Sequence, residues 1–197
     1  MEHGPRTSRR FLRTTPVLLL ALGVVRAEPV VTVDARYYDI RGATAQELRQ
    51  QLNRLRPLHR DGKKRYDANT KWHVTWRYTY RDEGGRCRID RVTTSADVVF
   101  TLPRWNSPES ASPDLRARWD RYVFALQDHE NGHRDIGIDA AREVEREIAA
   151  LPPRGNCREM GELANAGGHR VLDQHRARDL DYDRNTRHGA TQGAVFP

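Results

Sequence analysis

Between Trp72 and Tyr80 apolar and polar residues alternate. Trp72, Val74, Trp76, Tyr78 and Tyr80 fall on one side, and His73, Thr75, Arg77 and Thr79 on the other. A period of two predicts a half-buried strand with His73 facing solvent. Val30 to Ile40 is rich in Val and Tyr but broken by Asp and Arg, which predicts a partly exposed strand. After the turn Asp82-Glu-Gly-Gly85, a further strand region runs from Arg86 to Leu102, with Val98, Val99 and Phe100 its most apolar part. Together these segments suggest an antiparallel meander.

Helical spacing takes over elsewhere. Thr44-Ala-Gln-Glu47 is a capping box, followed by Leu48, Leu52 and Leu55 and stopped by Pro57. Residues 58–69 and 103–108 read as loops. Ser112-Pro113-Asp114 opens a second helix with a cap, a first-turn proline and an acid near the positive helix end. No breaker follows until Pro152-Pro153. Leu115, Trp119, Tyr122, Leu126, Ile136, Ala140, Val144 and Ile148 step by three or four, except between Leu126 and Ile136. His129 and His133 fill that gap in register, which puts both on the buried stripe. Beyond Cys157, Met160 to Ala166 and Arg170 to Leu180 read as short helices around Gly167-Gly168. The end, from Leu180 to Gly193, is polar and turn-rich, of the kind ordinarily left disordered. The expected fold is a single α+β domain over residues 28–197. In it, three or four antiparallel strands pack on the long helix, with short helices at the C-terminus.

The first 27 residues do not belong to that domain. Arg6, Arg9, Arg10 and Arg13 precede the apolar run Pro16 to Val25, and Val25-Arg26-Ala27 offers small residues for cleavage. This is the pattern of a secretory signal peptide, too short for a stable anchor. Ser8-Arg9-Arg10-Phe11-Leu12 is close to a twin-arginine signal but lacks its spacer, so Sec-type export is the expectation. The expected location is periplasmic or secreted.

Removing the signal also changes the charge picture. The whole chain is +7, but residues 1–27 carry five Arg against one Glu, so only +3 remains. The remaining Arg are interleaved with Asp and Glu, which argues for a solvated mixed-charge surface and against a nucleic-acid partner. Cys87 and Cys157, an even pair in an exported chain, read as one disulfide.

The chemistry centres on His129-Glu130-Asn-Gly-His133. Histidines one helical turn apart project the same way and can grip one Zn²⁺. Glu130, rotated by roughly 100° from His129, can stand beside the metal without ligating it, in the position of a general base. This is the H-E-x-x-H pattern of zinc metalloproteases. A third ligand is not given by the motif. Asp139 stands where a helix-breaking turn after the second histidine would bring a donor, but Ile136 occupies the glycine position of such a turn. If the helix continues, Asp139 points away. Glu143 and Glu145 read as solvated. His169, His175 and His188 remain, His175 in a polar Arg-rich segment that reads as exposed.

These features resemble the bacterial secreted zinc-dependent proteases first catalogued as domain of unknown function 922. The resemblance rests on "YYDIRGATAQEL", the Trp72/Trp76 strand, Cys87, "LPRW", "HENGH", Cys157 and the terminal "YDRNTRHGATQG". It implies a zincin-like fold and one catalytic Zn²⁺ on His129 and His133, with Glu130 as catalytic acid. It also makes the terminal segment part of the active region, with His188 as third ligand. Asp183 is the next choice, or a carboxylate orienting a ligand histidine. Tyr182 would donate to a developing oxyanion or serve as a packed aromatic, and Asp135 would help orient the site. The expected activity is that of an exported zinc peptidase acting on a peptide or protein substrate. The alternative is a non-catalytic exported zinc-binding protein acting as a structural or interaction module.

Overall fold

The computed structural model describes Met1, residues 28–58 and residues 64–196. The expected signal peptide therefore lies outside the described residues, apart from Met1. Among them, no helix is long and apolar enough to cross a membrane.

The elements run β1 (Val30–Ile40), α1 (Ala45–Leu55), β2 (Asn69–Asp82), β3 (Cys87–Trp105), α2 (Pro113–Ala149) and α3 (Cys157–Thr186), then a 3₁₀ turn, Ala190–Gln192. The fold is α+β. The three-stranded sheet has the order β1-β3-β2. Its strands β2 and β3 form the expected antiparallel pair, joined through Gly84 and Gly85 in left-handed conformation. The expectation of an all-antiparallel meander is corrected at β1, which pairs parallel to β3, Val33 opposite Val98. Helix α1 explains the difference. A parallel neighbour needs a long connection, and α1 followed by β2 supplies one. Strand β3 also runs on through Pro103, where a loop was expected. By then β2 has ended, since its first residue, Asn69, pairs with Thr101. The missing N–H of Pro103 therefore costs no ladder bond on that side.

Helix α1 starts as its sequence requires. Thr44 accepts from the Glu47 amide, and Glu47 accepts from the Thr44 amide. Leu48 and Leu52 are fully buried, whereas Leu55 stays largely exposed. Helix α2 is a single run of 37 residues capped by Ser112. All eight apolar positions of its stripe are buried, and so are His129 and His133.

The core is in two parts. One gathers α1, β3, the first half of α2 and Phe196 around Trp105, Trp119 and Tyr122. The other gathers Val74, Val92 and Ala96 of the sheet with Ala140, Val144, Ile148, Val171 and Leu172 of the helices. Trp72 packs against both. Along α2, the stretch 129–133 falls between the two parts, with Leu126 in the first and Ala140 in the second.

Two short helices were expected after Cys157, and one helix of 30 residues is found. Gly167 and Gly168 do not break it, because the space of a Gly168 side chain is taken by the Trp76 ring, 2.8 Å from where a Cβ would lie. The pairs His133–Asp179, Asp139–Arg178, Glu143–His175 and Glu147–Arg170 show that α3 runs antiparallel to α2. Its first residue is stapled to the first residue of β3 by the Cys87–Cys157 disulfide, across a separation of 70 residues. Backbone bonds between Cys87 and Arg154, both 2.8 Å, reinforce the same junction.

Candidate metal centre

His129 and His133 project from one face of α2, and Asp183 meets them from α3. The His129 Nε2 and His133 Nε2 atoms are 3.3 Å apart. Asp183 Oδ1 lies 3.3 Å from the first and 3.1 Å from the second. Donors at about 2.0–2.1 Å from a tetrahedral Zn²⁺ must stand about 3.3–3.4 Å from one another. The triangle therefore already has nearly the edges that such an ion requires. Among the described residues this is the one cluster of potential metal ligands. All three residues are buried.

Each donor is held from behind. His133 Nδ1 bonds Asp179 Oδ1 at 2.6 Å, and Asp179 is fully buried. A carboxylate on Nδ1 fixes the proton there and leaves Nε2 as the ligand atom. His129 Nδ1 donates to Gln192 Oε1 at 3.0 Å. Tyr182 stacks on the His129 ring, with centroids 5.0 Å apart, and its hydroxyl donates to the His129 carbonyl. Gln192 Nε2 in turn donates to that hydroxyl at 3.1 Å. The Tyr182 hydroxyl is therefore engaged at the His129 backbone and Gln192, with its ring packed on His129. That ring also explains the glycine inside the motif. A Cβ on Gly132 would lie 2.3 Å from the Tyr182 oxygen. Likewise a Cβ on Gly137 would meet Trp72 at 2.7 Å, so α2 rests directly on β2 there.

Glu130 turns to the sheet, where Thr70 Oγ1 donates to Oε2 at 2.6 Å. Burial raises the pKa of this carboxyl, against the opposing pull of Thr70, His133 and His129. Burial also opposes ionisation of Asp183. Hydrogen bonds from His129 and His133 outweigh it and hold that carboxyl well below the usual range. For His133 burial disfavours the charged ring, but the bonds to Asp179 and Asp183 prevail and push it up to about 9.

The terminal segment returns to the site by a left-handed turn. Arg187 and His188 have φ of 51° and 52°, and Gly189 has φ of 81°. Left-handed backbone costs non-glycine residues about 1–2 kcal/mol each. Here it swings the 3₁₀ turn back over α2. Gly189 is confined twice, since a Cβ would also approach His129 Cγ to 3.0 Å. His188, expected as third ligand, lies outside the triangle but contacts the same Asp183 oxygen. Its Nδ1 is 3.1 Å from Asp183 Oδ1, its Nε2 is 2.9 Å from the Tyr66 hydroxyl, and its ring stacks on Tyr66. It is Asp183 that completes the triangle.

Other expected residues lie elsewhere. Asp135 is exposed and pairs with Arg134. Asp139 pairs with Arg142 and Arg178, away from the histidines, as an unbroken helix requires. His169 packs edge-on against Trp76. His175 corrects its expected exposure. It is buried, and its Nε2 meets Glu143 at 2.8 Å. Reading the sequence missed Asp179, Thr70 and Gln192. The signal for Asp179 was its spacing of four from Asp183, the counterpart of the spacing between the two histidines.

The triangle opens on a cleft of about 780 Å³, walled by residues 66–72 on one side and by α3 and the terminal turn on the other. That is the size of an ordinary ligand site. Glu130 lines it together with all three triangle residues. No curated protein and no solved structure matches the chain. Residues 35–189, from within β1 to the residue before the 3₁₀ turn, match one family, and the chain belongs to it: DUF922, bacterial proteins of unknown function.

Proposed function

We propose that this protein is an exported zinc-dependent peptidase, with a zincin-like placement of its long helix beside the sheet. The observation that carries the reading is the His129–His133–Asp183 triangle, with edges suited to zinc, beside a buried glutamate in the wall of an open cleft. In this reading Asp183 is the third ligand, and His188, itself held by Tyr66, orients the carboxylate. When bound, Zn²⁺ would supply Lewis acidity toward a peptide carbonyl and a water molecule.

Glu130 carries the proton. Anchored by Thr70, it takes one from the attacking water as the water oxygen bonds to the carbonyl carbon. As the C–N bond breaks, Glu130 hands that proton to the leaving nitrogen. The products are a carboxylic acid and an amine. The N-terminal signal pattern and the Cys87–Cys157 disulfide support an exported, oxidised location.

A second reading has one observation in its favour. His188 already touches Asp183, so a small rearrangement would make it a fourth donor and close the site, as in a structural zinc centre. Glu130→Gln separates the two. In the peptidase it retains one zinc and the fold but lowers hydrolysis of a peptide library by about 10²–10⁴-fold. Unchanged hydrolysis, or no hydrolysis by the parent protein, would remove the peptidase reading.

A further inference from the structure

The cleft has a charge pattern that the catalytic reading does not use. Its anions are all engaged. Asp183 belongs to the triangle, and Glu130 is bound by Thr70. Asp67 is held by Arg49 at 2.9 Å and by the Tyr122 hydroxyl at 2.7 Å. Of its cations, Arg56 faces Asp67 at 4.0 Å, and the other three have no ion pair with the cavity's anions. Lys71, Arg176 and Arg187 line the same cavity and are exposed. Neither Lys71 nor Arg187 forms an ion pair with any described residue. Arg176 pairs with Asp173, three residues away on the helix surface, where both side chains are more than half exposed. Such a pair contributes little and exchanges readily for a better partner.

The placement of the three cations is asymmetric. Lys71 is on the edge strand β2 between Thr70 and Trp72, whose side chains face α2, so its own leaves from the opposite face at the open edge of the sheet. Arg187 caps α3 directly before His188. Arg176 also lines a second cavity of about 360 Å³, walled by Trp72, Trp76 and His169. Trp72 and Arg176 are shared, so the two cavities adjoin along β2. A chain lying along β2 past the triangle would meet Lys71 at the open sheet edge, Arg187 near the metal and Arg176 further on, beside the two tryptophans.

We infer that the cleft selects peptides carrying acidic side chains on either side of the bond to be cut. Lys71, Arg176 and Arg187 determine that specificity. The inference deepens the peptidase reading and rests on it for the substrate being a peptide. Cations at a rim act chiefly through encounter rate and are weakened by salt. Recognition is therefore expected to be salt-sensitive, while the metal site is not touched.

The test uses the purified, zinc-loaded Glu130→Gln protein and three sets of ten-residue peptides, rich in Asp and Glu, in their Asn and Gln isosteres, or in Lys. Acidic peptides should bind about tenfold or more tighter than their isosteres in low salt. Each of Lys71→Gln, Arg176→Gln and Arg187→Gln should reduce that preference by about twofold to fivefold at unchanged zinc content. The triple variant should abolish it. Equal affinity for acidic and neutral peptides, or no binding of any set, overturns the inference. A parallel digest of a mixed peptide library with the parent protein keeps the two claims apart. Cleavage without acidic residues flanking the cut sinks the inference and leaves the peptidase reading standing. Acidic binding without any cleavage sinks the peptidase reading and leaves the charge selection.

Discussion

Helices α2 and α3 lie side by side and share the site, yet they are buried by different means. Helix α2 carries an apolar stripe interrupted only by His129, Glu130 and His133. Helix α3 buries Met160, Ala164, Val171 and Leu172 up to its midpoint, but beyond them it buries His175, Asp179 and Asp183. Where α3 turns polar, α2 offers a matching partner: Glu143 to His175, His133 to Asp179, and the histidine pair to Asp183. A buried polar row is costly unless every member is paired, so the two rows have to be read together. The apolar stretches hold the helices in place, and the polar row between them holds the candidate metal centre.

That division can be broken from either side. The largest effect is expected at the apolar end. Replacing both Cys87 and Cys157 by Ser releases a loop of 70 residues, which costs about 4 kcal/mol on the chain-entropy model. Chemical denaturation should show that loss while the folded fraction still binds zinc. If zinc binding weakened in step in the folded protein, the two ends would not be independent.

Next comes the polar end. Asp179→Asn removes the charge behind His133 and should weaken zinc binding about 10–100-fold, with a much smaller effect on folding of the metal-loaded protein. Asp139→Asn is the control, because among the described residues Asp139 pairs with arginines on the helix surface. It should leave zinc affinity unchanged. Equal effects of the two substitutions would erase the distinction between the buried row and the surface.

The smallest effect concerns pH. In the metal-free protein the pKa of His133 is raised to about 9, chiefly by Asp179 and Asp183 acting against burial. Below that pH, zinc must displace a proton, so affinity should rise with pH by up to about tenfold per unit and flatten near 9. The metal-free fold should show the opposite trend. The raised value contributes stability that is complete below the ordinary histidine pKa and is lost as pH climbs through 9. Isothermal titration in several buffers would show the released proton. A pH-independent zinc affinity would contradict the assignment of His133.

The same contrast explains what could be read from the chain. The strand at Trp72–Tyr80, the capped helix α1 and the whole of α2 announce themselves because their buried positions are apolar and periodic. His129 and His133 were legible because they continue a stripe that neighbouring Leu126 and Ile136 make visible. Helix α3 was not, because a face made of His175, Asp179 and Asp183 looks like a solvated surface until its partners are known. For that reason the composition of the segment from Leu180 onward reads as a tail, and only the family resemblance makes it part of the active region, with His188 and then Asp183 as third ligand. The direction of β1 was hidden for a different reason. Parallel and antiparallel pairing leave the same alternation in a strand and differ only in which neighbour it finds.

The most direct measurement is zinc stoichiometry and affinity for the purified protein and for its Asp183→Ala and His188→Ala variants. The triangle predicts one tightly held zinc in the parent, loss of it in Asp183→Ala, and full stoichiometry in His188→Ala with affinity lowered by no more than about 10–100-fold. A parent that binds no zinc, or an Asp183→Ala variant that holds it as tightly as the parent, would contradict the account.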